Sequence, residues 1–81
     1  MNEQALRTEV LATLNDIAPE VDGDELIDDQ PLRNQVDLDS MDWLNFLIGL
    51  HRKLGVEIPE SDYAQLTTLA RVLEYLKARL P

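Results

Sequence analysis

Asp37-Leu38-Asp39-Ser40-Met41-Asp42-Trp43-Leu44-Asn45-Phe46-Leu47-Ile48-Gly49-Leu50-His51-Arg52-Lys53-Leu54-Gly55 decides the fold. A serine between acids opens a strongly apolar run that closes on bases and a glycine. Asp39 or Ser40 can cap the helix, and Asp42 falls in its first turn, where the helix dipole favours acids. Arg52 and Lys53 fall in the last turn, where bases are favoured, and Gly55 suits the left-handed position just past the end. The spacing predicts a helix over 40–54. Gly49 costs about 1 kcal/mol relative to alanine inside a helix, so it points to a close neighbour.

Two apolar stripes run along this helix. Trp43, Phe46, Leu47, Leu50 and Leu54 form one; Met41, Leu44 and Ile48 form the other, on a different face. One account buries the helix on most sides. Another turns the second stripe toward a partner.

Before it, Leu6, Val10, Leu14 and Ile17 recur at spacings of four, four and three, with Leu11 beside them. That predicts an amphipathic helix over 2–17, with Asn2 as cap and Glu3 in its first turn, ended by Pro19. Residues 19–36 read as a long acidic loop with Gly23 and Pro31 as turn residues. Val21, Leu26, Ile27, Leu32 and Val36 are scattered along it and can pin it to a core; a short helical turn is expected at Leu26-Ile27. A loop this long in so small a domain is often functional. After the central helix, Ile58-Pro59 is extended. Ser61 is expected to cap a short turn through Tyr63 and Leu66. Thr67 or Thr68 then caps a last helix with Leu69, Val72, Leu73, Leu76 and Leu80 on one side and Arg71, Lys77 and Arg79 on the other. The fold class is all-α: a small antiparallel bundle of three main helices plus one short helix, with a long first loop, expected to form one domain over 1–81.

The 81 residues carry a formal charge of −9. Ten of the sixteen acids lie between Asp16 and Asp42, against the single base Arg33. Such a field repels phosphate backbones, which argues against nucleic acid, favours a monomer, and attracts basic faces of other proteins. A solvated loop kept soluble by its charge is the plainer reading. The chain has no cysteine and one histidine. Disulfides and thiolate chemistry are therefore excluded, a zinc site is not expected, and the cytoplasm is a compatible compartment. No apolar run approaches the roughly 20 residues of a membrane span. The opening Met1-Asn2-Glu3-Gln4-Ala5 lacks the basic-then-apolar pattern of a secretory signal.

Enzymatic readings fail on geometry. A nucleophilic Ser40 needs a base within hydrogen-bond reach. His51 lies eleven residues along the same helix, about 16 Å away at 1.5 Å per residue. Asp37, Asp39 and Asp42 imitate a calcium loop, but the glycine position holds Asp42 and the terminal glutamate position holds Ile48. Paired carboxylates for glycoside chemistry would sit in a loop with no evident cleft. By its residues alone, Ser40 reads as a helix cap.

The order of elements adds to this. A first amphipathic helix, an acidic loop, Asp39-Ser40-Met41-Asp42 opening an apolar helix, Gly55-Val56-Glu57-Ile58-Pro59 and a threonine-capped last helix together resemble the acyl carrier proteins over nearly the whole chain. The resemblance implies a non-catalytic carrier. Ser40 would bear 4'-phosphopantetheine, transferred from coenzyme A by a phosphopantetheinyl transferase, and the arm's thiol would carry an acyl or aminoacyl group as a thioester. It also implies a cargo-loading ligase or acyltransferase and downstream biosynthetic enzymes as partners. Asp39 and Asp42 would help basic groups dock, and Met41, Leu44 and Ile48 would be exposed apolar contacts, which favours the partner-facing account of the second stripe. Phe46, Leu47 and Leu50 match buried positions.

Three features depart from the best-known members. Asn45 and the run His51-Arg52-Lys53 stand where acids are usual, which suggests a dedicated partner set. Trp43 replaces a small polar residue near the entrance to the interior, which suggests short or polar cargo. Apart from these three, the Gly-Gly pair usual in the peptidyl carriers of modular synthetases is absent before Ser40, where Val36-Asp37-Leu38-Asp39 stands, which argues against that variant. The competing reading is an unmodified helical interaction module in which Ser40 only caps.

Overall fold

A computed structural model describes residues 2–80. Met1 and Pro81, the ends of the domain expected over 1–81, lie outside them. Four helices follow in order: α1 (Glu3–Ile17), α2 (Leu32–Gln35), α3 (Ser40–Leu54) and α4 (Leu69–Arg79). Short 3-10 segments occupy Gly23–Glu25 and Glu60–Gln65. Three main helices and short helical pieces thus make a small all-α bundle, in which α1 packs against both α3 and α4. Among the described residues, no helix is long and apolar enough to cross a membrane.

Each main helix is delimited by chemistry visible in its sequence. Asn2 Oδ1 accepts the Ala5 N–H at 2.7 Å to start α1. Thr68 Oγ1 accepts the Arg71 N–H at 3.1 Å to start α4. α3 ends at Gly55, whose φ of 67° is the left-handed conformation that glycine tolerates best. The apolar stripes then meet: Leu6, Val10 and Leu14 from α1, Phe46, Leu47 and Leu50 from α3, and Leu69, Val72, Leu73, Tyr75 and Leu76 from α4 are all buried.

Gly49 is the point of close approach expected inside α3. A Cβ there would lie 2.8 Å from Thr13 Cγ2 on α1. Thr13 is 2% exposed, and its hydroxyl donates to the Glu9 carbonyl at 2.8 Å, so it has little freedom to move aside. Gly49→Ala should therefore destabilise the fold by about 1 kcal/mol despite alanine's higher helix propensity, because overpacking costs roughly 1–3 kcal/mol. Thr13→Ser removes the clashing methyl. In a denaturation double-mutant cycle it should recover most of the Gly49→Ala loss.

The first loop is not free chain. Leu32 and Val36 are buried, and Val21 and Leu26 pack against the core, whereas Ile27 is 57% exposed and pins nothing. The helical turn expected at Leu26-Ile27 is instead the 3-10 turn at Gly23–Glu25, just ahead of it, where the Asp22 side chain accepts the Asp24 N–H at 2.9 Å. Asn15 donates to the Val21 carbonyl at 2.7 Å, and the Gln35 amide brackets the turn at Ile27 through its backbone N–H and carbonyl. Backbone bonds from Leu32 N–H to the Thr67 carbonyl and from Ala70 N–H to the Asp28 carbonyl fasten the loop to the start of α4.

Asp28 also receives a two-pronged bond from the Arg7 guanidinium, at 2.8 and 2.9 Å. That bond holds the Asp28 carboxyl below its usual range and raises Arg7. A depressed carboxylate pKa contributes stability above its unfolded pKa and loses it as pH falls through the folded value. Both partners are substantially solvated, so the pair is worth at most about 1 kcal/mol. Asp28→Asn should remove that increment at pH 7 and make progressively less difference at strongly acidic pH, as wild-type Asp28 is itself protonated on passing through its depressed folded pKa. Urea denaturation at neutral and at strongly acidic pH checks this.

The segment before α4 corrects one expectation. Ser61 does not cap the turn through Tyr63; Pro59 takes the cap position of Glu60–Gln65, with no side-chain bond there. The turn is held by Tyr75 of α4, whose hydroxyl donates to Asp62 at 2.6 Å beneath the Arg79 guanidinium, 3.5 Å from the ring centre. Burial, followed by the Asp62 bond, raises the Tyr75 pKa and keeps the phenol neutral.

Candidate functional site

The candidate site is the N-terminal end of α3. Asp39 precedes the helix in extended conformation, with φ −82° and ψ −179°, and its carboxylate accepts the Asp42 N–H at 2.8 Å. Of the two candidate caps, Asp39 is therefore the one used. Ser40 is the first helical residue, and its side chain is exposed. Its hydroxyl makes no hydrogen bond among the described residues. Leu38, at 6% exposure, anchors the approach to the helix, so the exposed serine sits on a fixed backbone.

This arrangement suits a bulky anionic ester. The serine oxygen points to no internal partner that esterification would displace, and the helix N-terminus favours the negative charge of a phosphodiester nearby. It does not suit catalysis. The Nδ1–H of His51 donates to the Val56 carbonyl at 2.8 Å, so the histidine is committed to the opposite end of α3.

The second stripe lies outside the core. Met41 is 63% exposed, and Leu44 and Ile48 are half-buried and take no part in the core cluster. The first stripe is the buried one, with Trp43 and Leu54 at its margins. Asp39 is exposed and Asp42 half-buried beside Ser40. Trp43 stands three residues after Ser40 with its ring tilted 38° to Phe46, the ring centres 5.3 Å apart.

The three bases that close α3 differ in employment, which the sequence did not indicate. Besides His51, Lys53 pairs with Asp16 of α1 at 3.3 Å. Arg52 is exposed and has no ion pair or side-chain hydrogen bond among the described residues. It follows Ile48 by four residues, hence on the same side of the helix as Met41 and Ile48.

Known proteins carry the same organisation. The family described as "Phosphopantetheine attachment site" matches residues 7–76. The chain is 33% identical over 58 residues to an acyl carrier protein of Lactobacillus johnsonii, covering 72% of each chain. It is 30% identical over 76 residues to the meromycolate extension acyl carrier protein of Mycolicibacterium smegmatis, covering 90% of this chain and 77% of that one. In fold it is similar to the acyl carrier protein of Enterococcus faecalis, with a TM-score of 0.75 at 17% identity over 98% of this chain and 99% of the other. With the family match spanning most of its length, the chain belongs to the acyl carrier proteins, non-catalytic phosphopantetheine-attachment carriers that work with a phosphopantetheinyl transferase and biosynthetic enzymes.

Proposed function

We propose that Ser40 is the residue that bears the phosphopantetheine arm, in a single carrier domain that acts as a monomer in the cytoplasm. The observation that carries this reading is the division of labour at the start of α3: Asp39 caps the helix, which leaves the Ser40 hydroxyl exposed and unengaged. When bound, the arm supplies a mobile thiol that takes cargo as a thioester. The chain's own part is to hold that attachment point on a rigid helix and to present a surface to successive enzymes, which raises the effective concentration of cargo at each.

Asp39 and Asp42 offer carboxylates to basic groups of a partner, and Met41, Leu44 and Ile48 offer apolar contact beside the attachment point. A loading ligase or acyltransferase and the enzymes downstream of it would dock here. Trp43 supports short or polar cargo, since its ring already lies against Phe46 where a long chain would enter the interior. Incubation with coenzyme A and a promiscuous phosphopantetheinyl transferase should add one arm, followed by thioester formation with a short acyl donor. Core amide resonances should then shift little between a short and a long acyl group. A large response to the long chain alone would contradict the cargo assignment. Absence of any arm on the folded protein would favour an unmodified interaction module.

A further inference from the structure

We propose that Arg52 is a specificity-determining contact of this carrier: it receives a carboxylate on the partner's docking surface and turns away partners that present a base there. The inference rests on the docking face assigned above and extends it to the far end of α3.

Four observations converge on Arg52. The outward stripe of Met41, Leu44 and Ile48 continues into Arg52 at helical spacing. The neighbouring bases are spent internally, Lys53 on Asp16 and His51 on the Val56 carbonyl. Arg52 is exposed and, among the described residues, has no internal partner. The acids Asp39 and Asp42 stand at the other end of the same helix, beside Ser40. The face is therefore polarised: carboxylates at the attachment point, an apolar middle, and one free guanidinium about 18 Å away at 1.5 Å per residue.

A surface complementary to this face has bases around the entrance that receives the arm, an apolar recess, and a carboxylate at the far rim. Arginine is well suited to that last contact, because its fork can bind a carboxylate through two parallel hydrogen bonds. An enzyme with a uniformly basic rim meets Asp39 and Asp42 favourably but sets like charges together at Arg52, and juxtaposed like charges discriminate between partners.

The test uses the full chain, loaded by a transferase, and a malonyl transacylase chosen because its rate on an acidic carrier falls with added salt, the mark of a basic rim. Arg52→Glu should raise kcat/KM about tenfold over wild type, chiefly through KM, with Arg52→Gln between them, as for a charge at a docking rim. Arg71→Glu makes the same change in net charge at an exposed position on α4 and should change the rate less than twofold. Among transacylase variants with a single rim base changed to glutamate, at least one should reverse the order and prefer wild type to Arg52→Glu. Loaded protein that responds no more to Arg52→Glu than to Arg71→Glu, or a variant set with no reversal, overturns this assignment and leaves the carrier reading intact. A folded chain that takes no arm at all overturns both.

Discussion

Ser40→Ala should abolish loading completely while leaving the thermal or urea transition within about 0.5 kcal/mol of wild type. The combination is informative because serine is a common helix cap, and loss of a used cap costs about 1 kcal/mol. Here the Asp39 carboxylate takes the Asp42 N–H, so the Ser40 side chain contributes little to the start of α3. Alanine at the first helical position also has a high helix propensity. Loading is lost because the ester bond to the arm needs the serine oxygen. Asp39→Ala should give the complementary result, with stability lower by about 1 kcal/mol and the Ser40 hydroxyl still present for modification. If Ser40→Ala were the more destabilising of the two, the assignment of the cap would be wrong. Persistent loading of Ser40→Ala would move the attachment point elsewhere.

Phe46→Ala should have the largest effect on the fold, a loss of about 3–5 kcal/mol. Phe46 is the largest fully buried side chain, at 0% exposure, and it also supports the Trp43 ring. A domain of this size has a total stability on the order of 4–12 kcal/mol at 0.05–0.15 kcal/mol per residue, so the variant should be marginal or unfolded at 25 °C. Far-UV circular dichroism should fall, and Trp43 emission should move to longer wavelength as the indole loses its packing. Ile27→Ala deletes a side chain that is 57% exposed and should stay within about 0.5 kcal/mol of wild type. A Phe46→Ala variant with a near-native urea midpoint would mean that α3 does not carry the core.

The central helix was legible to its ends because both ends are marked by local chemistry. Acid-flanked capping residues open it, and a left-handed glycine closes it at the expected position. α1 and α4 were legible for the same reason, a threonine or asparagine cap followed by an apolar stripe at helical spacing. α2 was not. Four residues are too few to show a period, and Leu32–Gln35 is shaped by tertiary contacts: the bond to Thr67 and the burial of Leu32 and Val36. The turn at Gly23–Glu25 had a local signal in Asp22-Gly23, an acid positioned to bond two residues ahead. Ser61 failed as a cap because Pro59, two residues earlier, already begins the turn.

At the candidate site, the sequence pointed to Asp39 and Ser40 but could not assign their tasks. Asp39 and Ser40 are both good caps, and only the backbone conformation separates the one that caps from the one left free. Met41, Leu44 and Ile48 had two open accounts by periodicity; their position outside the core cluster favours the outward one. Thr13 and Tyr75 escaped notice because a polar atom hides a mainly apolar role. One lies under Gly49, and the other holds the turn before α4. The run His51-Arg52-Lys53 reads as one basic patch, yet two of its members are engaged internally, which tertiary structure alone reveals.

The most direct measurement is peptide mapping by mass spectrometry after incubation of the folded chain with coenzyme A and a promiscuous phosphopantetheinyl transferase. The account predicts one phosphopantetheine, on the peptide that carries Ser40 and on that serine alone. An addition at another hydroxyl, or none with any transferase on protein shown to be folded, would contradict it.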